Sequence, residues 1–256
     1  MNEYLKNLNR IEFIVTSDCT GFCKHCSDGE RLRSGLMLDK AVASDVVLTL
    51  ADQYHIDSVM TFGGEPLLNP ECVYAIHEAA KVKNIPCRQL ITNGFFSEDK
   101  NTIMAVTRSL AECGVNDILL SVDAFHQEMI PIDIVKFFAN EVAENNLPIR
   151  LNPAWLVSRE DDNFYNNSTA EIVAEFVAMG ISEGRGNVVF PEGNALKYLG
   201  EYFEGGKEYI NPYVENPMDL KSVSVEADGG LLGGNIYSGD IIEILENYNP
   251  FAEVGK

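Results

Sequence analysis

The chain has 256 residues, is 46% hydrophobic and carries 39 acidic against 19 basic residues, a formal net charge of −20 at pH 7; this length suits one sizeable core. So acidic a surface repels phosphate backbones, which argues against a nucleic-acid partner, and it is otherwise explained by solubility. No apolar stretch nears the about 20 residues of a membrane helix, and the start, "MNEYLKNLNR", lacks the apolar segment of a secretion signal, so we expect a cytoplasmic protein that binds no membrane.

Strands and helices are predicted to alternate along most of the chain. Apolar periodicity gives the elements, and Gly, Pro and Asn mark their ends. The predicted strands cover 11–16, 57–62, 87–92, 116–122, 148–153 and 187–191. The predicted helices cover 37–54, 70–84, 98–112, 132–146 and 169–179. Strands separated by helices indicate an α/β fold with a parallel sheet and right-handed crossovers, either open or closed into a partial barrel.

The pattern changes after residue 191, where Gly, Pro and Tyr become frequent. Two short strand-like pieces follow at 222–227 and 231–234, and then a short helix within 239–248. We therefore predict a core over 1–191 and a C-terminal cap over 192–256. This segment is expected to pack as an appendage against the core.

Small or polar residues follow the carboxyl end of every predicted strand. The first strand leads to three cysteines; the later ones lead to "GGEP" (63–66), "TNG" (92–94), "SVD" (121–123), "NP" (152–153) and "PEGNA" (191–195). In parallel α/β folds this edge of the sheet is where active sites assemble. The sequence therefore predicts one site to which all six strands contribute.

Cys19, Cys23 and Cys26 are spaced C-x3-C-x2-C after the first strand. A disulfide uses two sulfurs, and a structural zinc site usually has four ligands. A [4Fe–4S] cluster held by three thiolates keeps one iron free of protein ligands, so that it can bind something else. Spacing alone also allows zinc completed by a distant His. The remaining cysteines are scattered and are expected to pack in the protein: Cys72, Cys87 and Cys113.

The cysteine motif and the "GGEP" segment, each at its strand end, together resemble the radical SAM superfamily. The resemblance covers about residues 10–192 and implies a partial (β/α)6 barrel. It implies a [4Fe–4S] cluster whose open iron chelates S-adenosylmethionine (SAM). It also implies reductive cleavage of SAM to a 5′-deoxyadenosyl radical that abstracts hydrogen from a substrate, with an electron donor such as flavodoxin or ferredoxin.

The resemblance assigns roles to individual residues. Cys19, Cys23 and Cys26 would ligate the cluster, and His25 would take the place of a ring near the adenine. The other assigned SAM contacts are Gly63, Gly64, Glu65, Pro66, Asn93, Ser121, Asp123 and Asn152. Glycine permits close approach of backbone to the methionine end of SAM, and the Glu65 carboxylate would lie beside its ammonium group. His126, just past the fourth strand, either faces substrate or is a hydrogen-bonded loop histidine.

Residues 226–248 resemble the hairpin and helix of the SPASM or twitch extensions of peptide-modifying family members. Those extensions supply cysteines for auxiliary clusters, but residues 114–256 contain no cysteine. We therefore expect a single cluster, and a degenerate cap that closes the barrel and shapes the substrate site. A chain without this cap is expected still to bind the cluster, because all three cysteines lie in the loop after the first strand. A peptide is the predicted substrate and a small metabolite the alternative. Outside the enzymes, the alternative is a non-catalytic protein that binds a cluster or zinc.

Overall fold

A seven-stranded parallel sheet forms the body of the protein in a computed structural model that describes residues 2–29, 34–205, 209 and 211–252. In chain order, the strands are β1 (Arg10–Ile14), β2 (Ser58–Phe62), β3 (Cys87–Thr92), β4 (Asp117–Leu120), β5 (Ile149–Leu151), β6 (Ala154–Leu156), β7 (Ser182–Glu183), β8 (Asn187–Val189), β9 (Ser222–Val225), β10 (Gly230–Leu231) and β11 (Gly234–Asn235). The main sheet has the order β7-β5-β4-β3-β2-β1-β9. The predicted parallel α/β class is therefore confirmed.

Eight helices accompany this sheet in the described residues, and most of them bury apolar side chains in the main core. They are α1 (Lys40–Gln53), α2 (Pro70–Val82), α3 (Lys100–Cys113), α4 (Ala124–Gln127), α5 (Ile132–Glu144), α6 (Phe164–Ala178), α7 (Gly193–Leu199) and α8 (Ile241–Glu246). Local chemistry accounts for several ends: Asp39 and Asp99 accept bonds from the first turns of α1 and α3, and Gly114, at φ +96°, ends α3. Within the described residues, no helix combines the length and apolar character needed to cross a bilayer.

The sixth strand of the sheet is not the predicted one. Residues 187–189 form β8, which pairs with β6 in a separate two-stranded sheet, whereas the short strand β7 pairs with β5. The prediction of 187–191 as a strand of the main sheet was wrong because β7 has only two residues and no apolar run to identify it. Helix α6 also begins at Phe164, five residues before the predicted 169, because the Asn163 side chain accepts a bond from the Asn166 amide and caps it.

The predicted cap contributes directly to the main sheet. Strand β9 pairs in parallel with β1, from Arg10 opposite Ser222 to Phe13 opposite Val225. Strands β10 and β11 form the expected hairpin, and α8 is the expected short helix. Residues 206–208, 210 and 253–256 of the predicted cap lie outside the described residues. A boundary at 192 remains a prediction, and the sheet itself continues across it.

The two faces of β1 show how the sheet separates core from cavity. Ile11 and Phe13 are fully buried in the main apolar core. Arg10 and Glu12 alternate with them and line a cavity on the opposite face. A strand with period-two alternation therefore has one face in the core and the other inside the barrel.

His77 is a buried titratable group on the inner face of α2. Its Nε2 lies 3.0 Å from Thr61 Oγ1 on β2. Burial, and to a lesser degree the charge of Arg88, lowers the pKa of His77 to about 3 from an ordinary value of 6.5. Between these two pH values the unfolded chain binds a proton at His77 and the folded protein does not. The free energy of unfolding therefore falls as pH is lowered through this window.

We expect His77→Gln to remove this pH dependence. Between pH 7.5 and pH 5, His77 should lower the wild-type free energy of unfolding by about 2 kcal/mol. The variant should not show this decrease. Urea unfolding at several pH values measures the free energy of unfolding of both proteins. The control is His55→Gln, because the His55 side chain is 93% exposed, and it should keep the wild-type slope. Parallel slopes for His77→Gln and wild type would contradict the prediction.

Candidate active site

A cavity of about 910 Å³ runs along the inner face of the sheet, from Arg10 and Glu12 up to the loops that follow the strands. Its volume is in the range of ligand sites, about 300–1,000 Å³. The sequence-predicted residues that line it are Cys19, Cys23, His25, Cys26, Gly63, Gly64, Asn93, Ser121, Asp123 and Asn152. The strand-end loops therefore meet at one site, as the sequence predicts.

The three clustered cysteines share one wall of the cavity. Gly21 lies between two of their sulfurs: a side chain there would stand 3.1 Å from Cys23 Sγ and 3.9 Å from Cys19 Sγ. None of the three forms a disulfide bond with another described residue. Burial, and secondarily the negative charge of Asp123, raises the pKa of the Cys23 thiol above its usual range. A bound cation would offset this effect and favour the thiolate form that ligates metal.

Gly63 and Gly64 lie against the backbone that leads into the cysteine loop. The Gly64 amide donates to Thr16 O at 2.9 Å. A side chain at Gly64 would overlap the Asp18 carbonyl and stand 3.1 Å from Cys19 N. Gly63 has φ +138°, and a side chain there would stand 2.6 Å from Thr16 O. Glycine is therefore required here by the cysteine loop itself, in addition to any approach of a ligand.

Glu65 and Pro66 are the predicted site residues that do not line the cavity. The Glu65 carboxylate is fully buried and accepts bonds from Thr92 Oγ1 at 2.7 Å, from Asn93 N at 2.9 Å and from Leu67 N at 3.0 Å. Burial raises its pKa to about 7, against the opposing effect of these donors. Glu65 therefore braces the loop after β2 against the loop after β3, and its contact with the ammonium group of SAM stays a prediction.

Asn93 connects Glu65 to the cysteine loop. Its side-chain amide lies 3.2 Å from Thr20 Oγ1 and 3.8 Å from Cys19 Sγ. Ser121 and Asn152 lie on the opposite rim, where their backbone amides bond to Thr92 O and Leu120 O. Their side chains line the cavity, in keeping with the predicted ligand contacts.

His25, Asp123 and His126 form a compact group beside the cysteines. Candidate ligand atoms of the three lie within 4.8 Å of one another, a spacing that could hold a metal ion. The Asp123 carboxylate already accepts bonds from His126 Nδ1 at 2.8 Å, from the His126 amide at 2.9 Å and from Ala154 N at 3.1 Å. Within the described residues, the buried Nδ1 of His25 has no hydrogen-bond partner. The group is therefore a hydrogen-bonded pair, Asp123 and His126, packed against a histidine ring.

Charge and burial shift the pKa values of Asp123 and His126 in opposite directions. Burial would raise the pKa of Asp123, but the charge and hydrogen bond of His126 hold it well below its usual range. Burial would lower the pKa of His126, but Asp123 raises it above its ordinary value. Burial lowers the pKa of His25 to about 4. The His25 ring is therefore neutral at neutral pH, and Asp123 and His126 each favour the charged form of the other.

The roles of two site features were missed in the sequence. Asn194, in the "PEGNA" segment at the start of the predicted cap, is 1% exposed and bonds to the backbone of the cysteine loop. Removal of the cap would delete this contact, and cluster binding without the cap stays a prediction. At the other end, the Arg10 guanidinium donates to Glu12 Oε1 at 2.6 Å and to Gln89 Oε1 at 2.9 Å, and forms a polar floor. Alternating polar residues in the first strand could have indicated this floor.

Comparison with known proteins identifies the family. The family model for the radical SAM superfamily matches residues 13–145, about half of the chain, so the protein belongs to this superfamily. GTP 3′,8-cyclase from Clostridium perfringens (strain SM101 / Type A) is 23% identical over 165 residues, which cover 60% of this chain and 49% of that protein. The corresponding enzyme of Limosilactobacillus fermentum is 24% identical over 131 residues, 50% of this chain and 37% of that one. The chain thus spans about half the length, or less, of these curated relatives.

Solved structures extend the likeness to most of the chain. Native anSMEcpe with bound AdoMet has a TM-score of 0.61 at 14% identity, covering 95% of this chain and 81% of that one. Streptococcus suis SuiB bound to S-adenosylmethionine has a TM-score of 0.58 at 14% identity, covering 95% and 66%. These likenesses confirm the expected partial-barrel fold. The superfamily's cofactors are a [4Fe–4S] cluster and SAM, as the sequence predicts.

Replacing Gly64 by Ala should destabilise the protein. The added methyl group meets the Asp18 carbonyl and must displace backbone, an overpacking effect of about 1–3 kcal/mol. Thermal unfolding of the apoprotein measures the change without any cofactor. The matched control is Gly200→Ala, since a side chain at Gly200 would meet nothing within 4 Å. Equal melting temperatures for the two variants would show that the Gly64 contact is not required.

Proposed function

We propose that the protein is a radical SAM enzyme that reductively cleaves SAM at a single [4Fe–4S] cluster held by Cys19, Cys23 and Cys26. The observation that carries this proposal is the placement of three cysteine side chains in the cavity lining, beside the glycine pair at the end of β2. The donor set fits the group, because Gly21 leaves open the space where the sulfurs of Cys19 and Cys23 meet. Three thiolates also keep one iron free for SAM.

The bound cofactors supply an electron and a carbon-centred radical that abstracts hydrogen from the substrate. The protein's own residues bind, orient and shield. Gly63 and Gly64 expose backbone at the rim, while Ser121 and Asn152 offer polar side chains opposite them. The His25 ring, tilted against Phe125 with centroids 4.8 Å apart, gives an apolar surface with a polar edge. At the lower end of the cavity, the paired side chains of Arg10 and Glu12 offer charged groups that already have partners.

A peptide is the substrate that we favour. The fold matches anSMEcpe, which is also known with bound AdoMet and Cp18Cys peptide, at a TM-score of 0.61. In this chain, Tyr213 and Val214 line the cavity and yet are 58% and 73% exposed, so the cavity opens to solvent along that wall. A peptide could lie across such an opening with one side chain inside the cavity. The hairpin and helix after β9 also follow the order that the resemblance to peptide-modifying family members implies.

A nucleotide is the second candidate, because the curated relatives are GTP 3′,8-cyclases. A triphosphate needs cationic side chains. Among the described residues that line the cavity, Arg10 is the one Lys or Arg, and its guanidinium is bonded to Glu12 and Gln89. The same lining holds the carboxylates of Glu192 and Glu215. The charge of the cavity therefore favours a substrate without phosphates.

The enzyme requires a one-electron reductant, and flavodoxin or ferredoxin are the partners we expect. The competing possibility is a protein that binds zinc or a cluster without catalysis. An anaerobic optical spectrum distinguishes a protein with an iron–sulfur cluster from one that binds zinc. A broad brown absorption near about 400 nm that bleaches with dithionite supports the cluster, whereas a colourless protein with stoichiometric zinc supports the alternative.

Cys23→Ala should abolish cluster binding and the formation of 5′-deoxyadenosine. The reconstituted wild type should hold about four irons per chain, the content of one cubane. Cys72→Ala is the matched control: Cys72 is also a buried thiol, but it lies in α2, in the main core. It should keep the iron and the activity. Loss of iron from Cys72→Ala, or its retention in Cys23→Ala, would contradict the assignment.

The reconstituted enzyme should not bind GTP with appreciable affinity. Calorimetric titration should give a dissociation constant weaker than about 1 mM, equivalent to less than about 4 kcal/mol of binding free energy. Micromolar binding that is lost in Arg10→Gln would support the nucleotide candidate instead. Arg150→Gln is the control, because Arg150 is also paired with a carboxylate, Asp117, but does not line the cavity.

A further inference from the structure

Asn194 joins the start of α7 to the backbone of two of the clustered cysteines. Its side-chain Nδ2 donates to Cys23 O at 3.1 Å, and its backbone amide donates to Cys26 O at 2.9 Å. The side chain is 1% exposed, so water does not compete for these bonds. One residue thus holds carbonyls on both sides of His25, from a position 171 residues away in the chain.

The backbone around Asn194 is fitted closely to the cysteine loop. Gly193 has φ +52°, and a side chain there would stand 2.6 Å from Ser27 C and 2.8 Å from Cys26 O. Gly29 has φ +56°, and a side chain there would stand 3.2 Å from Asn194 N. Neither glycine can be replaced without moving one segment away from the other. The two glycines therefore allow the close approach that places Asn194 against the cysteine loop.

The segment that ends in Asn194 is also a wall of the cavity. Residues 187–190 and Glu192 line it, opposite the inner face of the sheet. The Glu192 carboxylate accepts from Asn211 Nδ2 at 3.3 Å, and the Tyr213 hydroxyl donates to Asn187 Oδ1 at 2.5 Å. A substrate that enters past Tyr213 would press on this wall, and Asn194 is its connection to the cysteine loop.

We propose that Asn194 is a positioning residue that couples the substrate wall, residues 187–192, to the geometry of the cluster loop. This inference rests on the proposed function, because it requires a cluster at the three cysteines. Asn194 donates to the backbone carbonyl oxygens of Cys23 and Cys26. Its effect on a cluster would therefore come from the positions in which it holds these two cysteines. Outer partners of this kind change metal affinity by about 10–100-fold when they are removed.

The test compares Asn194→Ala and Asn194→Asp with wild type. The aspartate keeps the size of the side chain but removes the Nδ2 donor. Two readouts are made on the reconstituted proteins, namely the rate of iron loss to a chelator and the electron paramagnetic resonance spectrum of the reduced cluster. Both variants should lose iron about 10–100-fold faster than wild type, with altered g-values. A wild-type rate and spectrum in Asn194→Asp would overturn the proposal, even if Asn194→Ala fails to fold.

Asn166→Ala is the matched control. Asn166 is 3% exposed and bonds to four backbone groups of the loop after β6, at Leu156, Ser158 and Asp161. Its removal should lower the melting temperature and leave the iron-loss rate and the spectrum unchanged. If Asn166→Ala and the Asn194 variants behave alike, Asn194 has only a structural role and the inference fails. If the wild type itself takes up no cluster, the proposed function fails first.

Discussion

The position of the cysteine loop depends on two backbone contacts that leave no room for a side chain. At one, Gly64 packs on the Asp18–Cys19 peptide; at the other, Gly193 packs on Cys26 and Ser27. Residues 17–28 contain neither helix nor strand, so the loop takes its shape from these neighbours. A site built in this way is only as rigid as the end of β2 and the start of α7. Glu65 adds to the first contact, because its backbone amide donates to Asp18 O at 2.7 Å.

The parts of the fold that local pattern determines could be predicted. Strand β3 occupies the predicted 87–92, and the strand-end residues meet as expected because carboxyl ends of parallel strands lie at one edge. The roles of individual residues were harder to predict. Gly64 was recognised as a close-approach glycine, but its neighbour is Asp18, and Glu65 turned out to face the loop after β3. Neither partner is adjacent in sequence, so no local periodicity identifies it.

The features that could not be predicted depend on long-range pairing. Strand β9 pairs with β1 across more than 200 positions, and Asn194 reaches Cys23 across 171. Strand β7 is too short to carry an apolar pattern. Arg10 and Glu12 were missed because a buried strand in a parallel sheet is expected to be apolar on both faces. In this protein one face of β1 lies inside the barrel, where a charge pair can be satisfied by its own partners and by Gln89.

The pairing of β9 with β1 bears on when the protein matures in the cell. The strand that leads into the cysteine loop lies between β2 and β9, and it stays an unprotected edge until residues 222–225 have been synthesised. Asn194, which lies 171 positions after Cys23, also reaches the loop only after the residues between the two have been synthesised. Domains generally form from the amino terminus onward during translation, but here the first strand is completed by β9, more than 200 positions later. The loop that carries the three cysteines therefore gains its full set of contacts only after β9 has been made.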